Sequence, residues 1–386
     1  MNVLSLRTCL FVLCALLVFV PSVFAQKTSG DSIAAAVQPY VDRHELAGAV
    51  MLVADKHKVR YEGAVGSADI DAGKAMQTDS MFWIASQSKP ITAAALMMLV
   101  DEGKVNVDDP VEKYLPEFKG QMVIAERSDD HILLKKPQHP ITVANVLSHT
   151  SGLPFASRIE TPTLDRLPLA DRVRSYAMTP LEFEPDTKYQ YSNSGINTAG
   201  RIIEVVSGQT FETFLQERLF TPLGMNDATF WPTEDQAARI AKSYKPGSGG
   251  SGLEETTIGQ LQYPLTDRKD RYPMPAGGLF ATAMDLSRFY RMLANGGELD
   301  GRRYLSEEAV ATMTSKQTGD LQNQYGFGFS TGDRVGHGGA YSTNSYLDKK
   351  QGLILIWLVQ HAGFPGEGGK SQEAFRRAAI ERLGPN

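Results

Sequence analysis

Phe82-Trp83-Ile84-Ala85-Ser86-Gln87-Ser88-Lys89-Pro90 leads into Ile91-Thr92-Ala93-Ala94-Ala95-Leu96-Met97-Met98-Leu99, and the architecture turns on this segment. Ile91, Ala94, Ala95, Met98 and Leu99 recur at helical spacing, with Gly103 placed to stop the helix. Pro90 falls in the first turn, where its missing N–H costs nothing. Ser86 therefore stands at the helix start and Lys89 one turn on, on the same face. A helix N-terminus favours negative charge developing on Ser86, and a desolvated lysine amine can accept its proton. One Ser-x-x-Lys is about what chance provides in a chain this long, so a solvated helix start competes with this reading. The aromatic and apolar residues just before Ser86 argue instead for a buried first turn.

The chain has 386 residues, 42% hydrophobic and 22% charged, as suits one large α/β unit with an inserted subdomain. A net charge of −5 gives no reason to invoke nucleic acid or an anionic membrane. Arg7, the apolar run Leu10 to Val20 and Val23-Phe24-Ala25 read as a cleavable signal peptide over 1–25, with the mature chain starting at Gln26 and no stable membrane anchor. This predicts a periplasmic or secreted protein. Both cysteines, Cys9 and Cys14, fall inside that segment, so the mature chain is expected to have no disulfide and no thiolate metal site.

Further along, 31–44 reads as a helix, and Ala49–Val53 and Val59–Val65 as strands around a polar turn. Residues 122–136 read as a hairpin. Thr142 opens a helix leading into His149-Thr150-Ser151-Gly152-Leu153, a loop-rich stretch runs to Pro185-Asp186, and helices follow near 194–206, 211–218 and 283–295. Glycine-rich 245–253 reads as a flexible loop. Strands return at Tyr325–Ser330, Val335–Ser342, Asn344–Asp348 and Leu353–Gln360, before a last helix at 371–383. Strands at both ends predict one antiparallel sheet built from N- and C-terminal segments (about 26–85 and 320–386), flanked by helices, with a largely helical insertion over 86–319.

Two more segments carry chemistry. Tyr191-Ser192-Asn193 precedes a helix; Tyr191 could serve as a general base if its phenol were drawn toward its anion, and Asn193 could hold Lys89 and a substrate carbonyl. A capping Ser beside a core tyrosine is the plainer alternative. In His337-Gly338-Gly339-Ala340, two glycines leave a strand edge bare for a substrate, and the Ala340 N–H could pair with that of Ser86 as an oxyanion hole. A glycine bulge beside a surface histidine would explain the same residues.

Taken in order, Ser86-x-x-Lys89, Tyr191-Ser192-Asn193 and His337-Gly338-Gly339 resemble the three motifs of serine hydrolases related to class C β-lactamases and D-Ala-D-Ala carboxypeptidases. The resemblance extends to Ala276-Gly277-Gly278-Leu279-Phe280 and Tyr325-Gly326-Phe327-Gly328, and so covers nearly all of the mature chain. It implies a β-lactamase/transpeptidase-like fold, an acyl-enzyme at Ser86 with Lys89 and Tyr191 as its base system, and no cofactor. Asn193 would position substrate, Ser86 and Ala340 would form the oxyanion hole, and His337 would occupy the cationic position of the third motif. β-Lactamases of the family usually carry Lys-Thr-Gly there, whereas His337 is expected to be mostly neutral at pH 7 and Gly338 lacks the hydroxyl, which argues against an efficient β-lactamase. His337-Gly338-Gly339 is instead similar to the form in family esterases and D-amino-acid peptidases. Pro185-Asp186 stands where relatives often have Pro-Gly.

The resulting expectation is an exported carboxylesterase or D-amino-acid peptidase acting on a small molecule or peptide. The alternatives are a β-lactamase or carboxypeptidase, or a penicillin-binding sensor that never turns over. The spacing in Gly363–Ser371 is one residue too long for a phosphate loop, His361 falls at a strand end, and Asp129, Asp130 and His131 read as a solvated turn rather than a metal site. The substrate's acyl and leaving groups and the oligomeric state stay open.

Overall fold

The computed structural model describes residues 31–385; the signal segment, Cys9 and Cys14 lie outside them. Helix α1 (Asp31–Asp42) leads into β1 (Gly48–Ala54), β2 (Val59–Asp69) and the short β3 (Lys74–Ala75). The helical part begins with α2 (Ser88–Asp101), followed by α3 (Val143–Ser148), α4 (Leu169–Ala177), α5 (Asn193–Ser207) and α6 (Ala283–Ala294). The chain then returns as β4 (Arg334–Gly338), β5 (Asn344–Asp348) and β6 (Leu353–Leu358), and ends in α7 (Ser371–Leu383). The six strands form one antiparallel sheet in the order β4-β5-β6-β1-β2-β3. Its N- and C-terminal parts join where β1 pairs with β6, Val50 opposite Leu358 and Val53 opposite Leu355.

Helices cover both faces of the sheet, which is why β1 and β6 read as continuous apolar runs rather than alternating ones. Met51 and Val53 pack with Leu355, Trp357 and residues of α1 and α7. Val50 and Leu52 face the other way, into a larger core with α2 and α6. Helix α2 has no solvent face over most of its length: Ser88 to Leu99 are all buried. The spacing predicted a one-sided stripe, but a helix apolar nearly all round belongs at the centre of the molecule.

Three local expectations need correction. Tyr325–Ser330 is not a strand. It alternates buried Tyr325, Phe327 and Phe329, but bends at Gly328 (φ +75°), which packs against the α2 backbone where a Cβ would meet the Lys89 carbonyl oxygen at 2.7 Å. The strand expected over Val335–Ser342 stops at Gly338. The loop expected over 245–253 is shorter: its residues 247–252 form the surface tip of a hairpin between Ser243–Pro246 and Leu253–Thr256, with Gly247 N–H donating to Gly252 O at 3.1 Å.

Candidate active site

A two-residue strand, Phe82–Trp83, pairs with Phe280–Ala281 and delivers the chain to the start of α2. Ala85 then takes a left-handed backbone (φ +48°), an uncommon conformation for a residue with a Cβ. It turns the chain sharply, so Ser86 sits partly exposed at the floor of a cleft while its neighbours are buried. Ser88 holds the turn: its hydroxyl donates to Ala85 O at 2.7 Å and accepts from Leu279 N–H at 3.2 Å.

Lys89 is completely buried. Its Nζ lies 3.1 Å from Ser86 Oγ, 2.7 Å from Asn193 Oδ1, 2.7 Å from Ala276 O and 4.6 Å from the Tyr191 ring centre. Burial pushes its pKa well below the ordinary lysine value. A neutral amine has two N–H donors and one lone pair. With Asn193 and Ala276 taking both donors, the lone pair is left for the Ser86 hydroxyl proton, which is the arrangement a general base requires.

Tyr191 and Asn193 enter from the start of α5, where Ser192 caps the helix by accepting from Gly195 N–H at 3.0 Å. His149 positions this segment: its Nδ1 accepts from Ser192 N–H at 3.2 Å, and its ring packs 4.6 Å from that of Tyr191. Burial, with Lys89 and His337 nearby, holds His149 neutral. Burial also drives the Tyr191 pKa up, against the weaker effect of Ser86 beside it. The expectation of a phenol drawn toward its anion is therefore corrected. Nothing beside Tyr191 among the described residues offsets that burial, so it is a protonated donor whose buried hydroxyl makes no hydrogen bond of ordinary geometry. Asp186, in the turn where a glycine was the usual residue, adopts φ +65° and accepts from Asn145 Nδ2 at 2.6 Å.

The third segment agrees with the sequence reading in charge and departs from it in position: His337 is buried and neutral, and it does not line the cleft as a substrate-positioning residue would. Burial, with Lys89 adding to it, lowers its pKa to about 3. Its Nε2 accepts from Tyr325 O–H at 3.0 Å and its Nδ1–H donates to Gly338 O, so the ring serves the strand rather than the cleft. Gly339 is required for packing: a Cβ there would lie 2.4 Å from Ile84 O and 2.3 Å from Thr343 Oγ1. That close approach brings β4 against the Ser86 turn and sets Ala340 in the cleft wall. Gly338 is the exposed one, and a Cβ on it would meet only Thr343 O at 3.7 Å.

The cleft holds about 210 Å³ and joins Ser86, Tyr191, Asn193 and Ala340 with Trp83, Phe155, Gln260 and Met274. Among the described residues that line it, none is arginine or lysine. Phe155, Gln260 and Met274 come from loops, and no motif marked them in advance. Three buried charged residues hold these loops, also unmarked by any motif. Asp165 pairs with Arg271 at 2.8 Å and accepts from Gln262 N–H at 2.9 Å, while Arg172 donates to Leu164 O and Pro273 O. His361 accepts from Ala47 N–H at 3.1 Å, a structural contact, and Asp129 to His131 are exposed at the hairpin tip. Among the described residues, no three His, Cys, Asp or Glu side chains are grouped to hold a metal.

A family model described as Beta-lactamase matches residues 33–379. Penicillin-binding protein 4 of Amycolatopsis lactamdurans is 33% identical over 282 residues, covering 72% of this chain and 68% of that protein. Esterase EstB of Burkholderia gladioli is 27% identical, covering 91% and 96%. The solved structure of EstCE1, a hydrolase with promiscuous acyltransferase activity, superposes with a TM-score of 0.75 at 23% identity over 91% of this chain and 98% of that one, a likeness of fold.

Proposed function

The chain belongs to the beta-lactamase family and is a serine hydrolase, and from there we propose that it is an exported carboxylesterase forming an acyl-enzyme at Ser86. The observation that carries this reading is the buried Lys89 amine, with Nζ 3.1 Å from Ser86 Oγ and 2.7 Å from both Asn193 Oδ1 and Ala276 O.

Lys89 takes the Ser86 proton as Oγ attacks the ester carbonyl carbon. The N–H groups of Ser86 and Ala340 receive the oxyanion. The carbon–oxygen bond to the leaving group breaks, and the proton passes from Lys89, through the Tyr191 hydroxyl, to the departing alkoxide. Water then attacks the acyl carbon, gives up a proton by the same route in reverse, and frees the carboxylic acid and Ser86.

An uncharged ester suits this cleft better than a carboxylate-bearing peptide or β-lactam. Its described lining offers no exposed cation, and His337, in the position the family uses for one, is neutral and turned to Tyr325. The esterase among the relatives agrees with this preference. Export rests on the residues of 1–25 read as a signal peptide.

The test is a panel of p-nitrophenyl esters, D-amino amides and nitrocefin with the purified chain. The expected result is an ester burst of one equivalent followed by turnover, lost in Ser86→Ala, with nitrocefin at least a hundredfold poorer. A stable acyl adduct without turnover would favour the sensor instead, and full turnover by Ser86→Ala would overturn the mechanism.

A further inference from the structure

The direction of the Lys89 lone pair depends on where the Ala276 carbonyl points, and the groups that hold that carbonyl belong to no motif. The peptide unit joining Pro275 to Ala276 is gripped at both ends. Its C=O accepts from Thr92 Oγ1 at 2.8 Å, and its N–H donates to Asn197 Oδ1 at 3.0 Å. The next unit has its C=O on Lys89 and its N–H on Met274 O at 3.0 Å, and Gly277 O accepts from Trp83 Nε1 at 2.6 Å. Every backbone polar group from Pro275 O to Gly277 O thus has a partner.

The two clamping residues repeat the helix faces of the catalytic ones. Thr92 lies three residues after Lys89 on α2, and Asn197 four after Asn193 on α5, so each shares a face with its counterpart. Gly200 continues the α5 stripe and lets the helix close on the strap, since a Cβ there would lie 2.3 Å from Pro275 Cγ. Behind Asn197 the chain of bonds runs inward: its Nδ2 donates to Tyr176 Oη at 3.0 Å, and Tyr176 donates to Glu160 Oε1 at 2.8 Å. Thr92, Asn197 and Tyr176 are all buried.

We propose that Thr92 and Asn197 are positioning residues that orient the general base by clamping the Pro275–Ala276 peptide. α5 thereby supplies both acceptors of the Lys89 amine, Asn193 directly and Ala276 O through Asn197. Loss of either clamp lets the Ala276 carbonyl swing, frees one amine donor to turn toward Ser86, and misdirects the lone pair. The effect falls on acylation and leaves the cleft walls that bind substrate in place. The inference rests on Lys89 acting as the base.

The test compares Thr92→Val, which keeps the shape and removes the hydroxyl, with Thr92→Ser, which keeps the hydroxyl, and adds Asn197→Leu. Active sites are titrated with a fluorophosphonate and rates taken per titrated site with a p-nitrophenyl ester. Thr92→Val and Asn197→Leu are expected to lower the acylation rate about tenfold or more with KM within twofold. Thr92→Ser should restore most of that rate, and the double variant should lose little beyond either single one, because both act on one peptide. Rates per site within twofold of wild type, even with a lower melting temperature, would reduce the clamp to a structural feature and overturn the proposal. So would Thr92→Ser failing to recover. Failure of the underlying mechanism shows separately, as full turnover in Lys89→Met.

Discussion

Arg271 Nε lies 2.8 Å from Asp165 Oδ2 with both side chains buried, an ion pair spanning 106 residues of sequence at the back of the cleft wall. Asp165 also bonds to Gln262 N–H, and its carbonyl accepts from Tyr272 N–H at 2.8 Å, so the pair ties together both ends of the 262–272 segment, which lies between Gln260 and Met274 of the cleft lining. Removing one partner strands the other charge in the interior, which costs about 3–5 kcal/mol. Arg271→Met is therefore expected to lower the urea midpoint by that equivalent and to raise KM for esters. An unchanged midpoint would show that water reaches the pair.

The pH profile should report Lys89 and not Tyr191. The active form is the neutral amine, so kcat/KM rises with pH through the Lys89 pKa, and the acid limb lies well below the ordinary lysine value. Tyr191, whose pKa is raised, is already protonated throughout that range. Tyr191→Phe should then lower kcat by about 10²–10⁴, the usual worth of a positioned proton-transfer group, without moving the limb. A limb that disappears in Tyr191→Phe would return the base role to the phenol.

Stability should fall on the acid side because buried histidines are held neutral. The His337 pKa is about 3 folded and near 6.5 unfolded, so the unfolded chain binds the proton first and stability is lost as pH drops from about 6.5 toward 3. Each such histidine contributes a slope of up to about 1.4 kcal/mol per pH unit. His361, at about 4, and His149 act in the same sense. His337→Gln should flatten the decline of the urea midpoint between pH 6.5 and 4 without abolishing it. An identical decline in wild type and variant would show that His337 is solvated.

The adjacent glycines should behave oppositely. Gly339→Ala drives a Cβ into Ile84 O and Thr343 Oγ1, at a cost of about 1–3 kcal/mol, and displaces Ala340 from the oxyanion position, so kcat should drop tenfold or more. Gly338→Ala meets only Thr343 O at 3.7 Å and should change stability by no more than about 0.5 kcal/mol. Thermal melts and ester kinetics on the pair check this.

Ser86, Lys89, Tyr191 and Asn193 were legible in the sequence because each depends on local rules: a helix start, a one-turn spacing, a capping serine. The sheet was legible because fully covered strands are long apolar runs. What escaped depends on contacts across the chain. Asp165–Arg271 and Thr92–Pro275 join residues far apart with no local pattern. Helix α4 opens at Pro168 in a proline-rich stretch that reads as loop, and it is only nine residues long. Tyr325–Ser330 has strand-like alternation because its aromatics plug the core from a bent loop. The neutrality of His337 was legible from its residue type, but its burial against Tyr325, away from the cleft, was not.

The seam between β1 and β6 bears on synthesis. β1 has β2 close behind it as one partner, but its other edge waits for residues 353–358, which are made long after it. Until then an apolar strand stands with open hydrogen-bonding groups, a template for association with other nascent chains. Ala340 reaches the Ser86 turn through that same late-forming half of the sheet, so a polypeptide interrupted before the seam closes would carry Ser86 beside Lys89 yet lack the wall that Ala340 brings to the cleft.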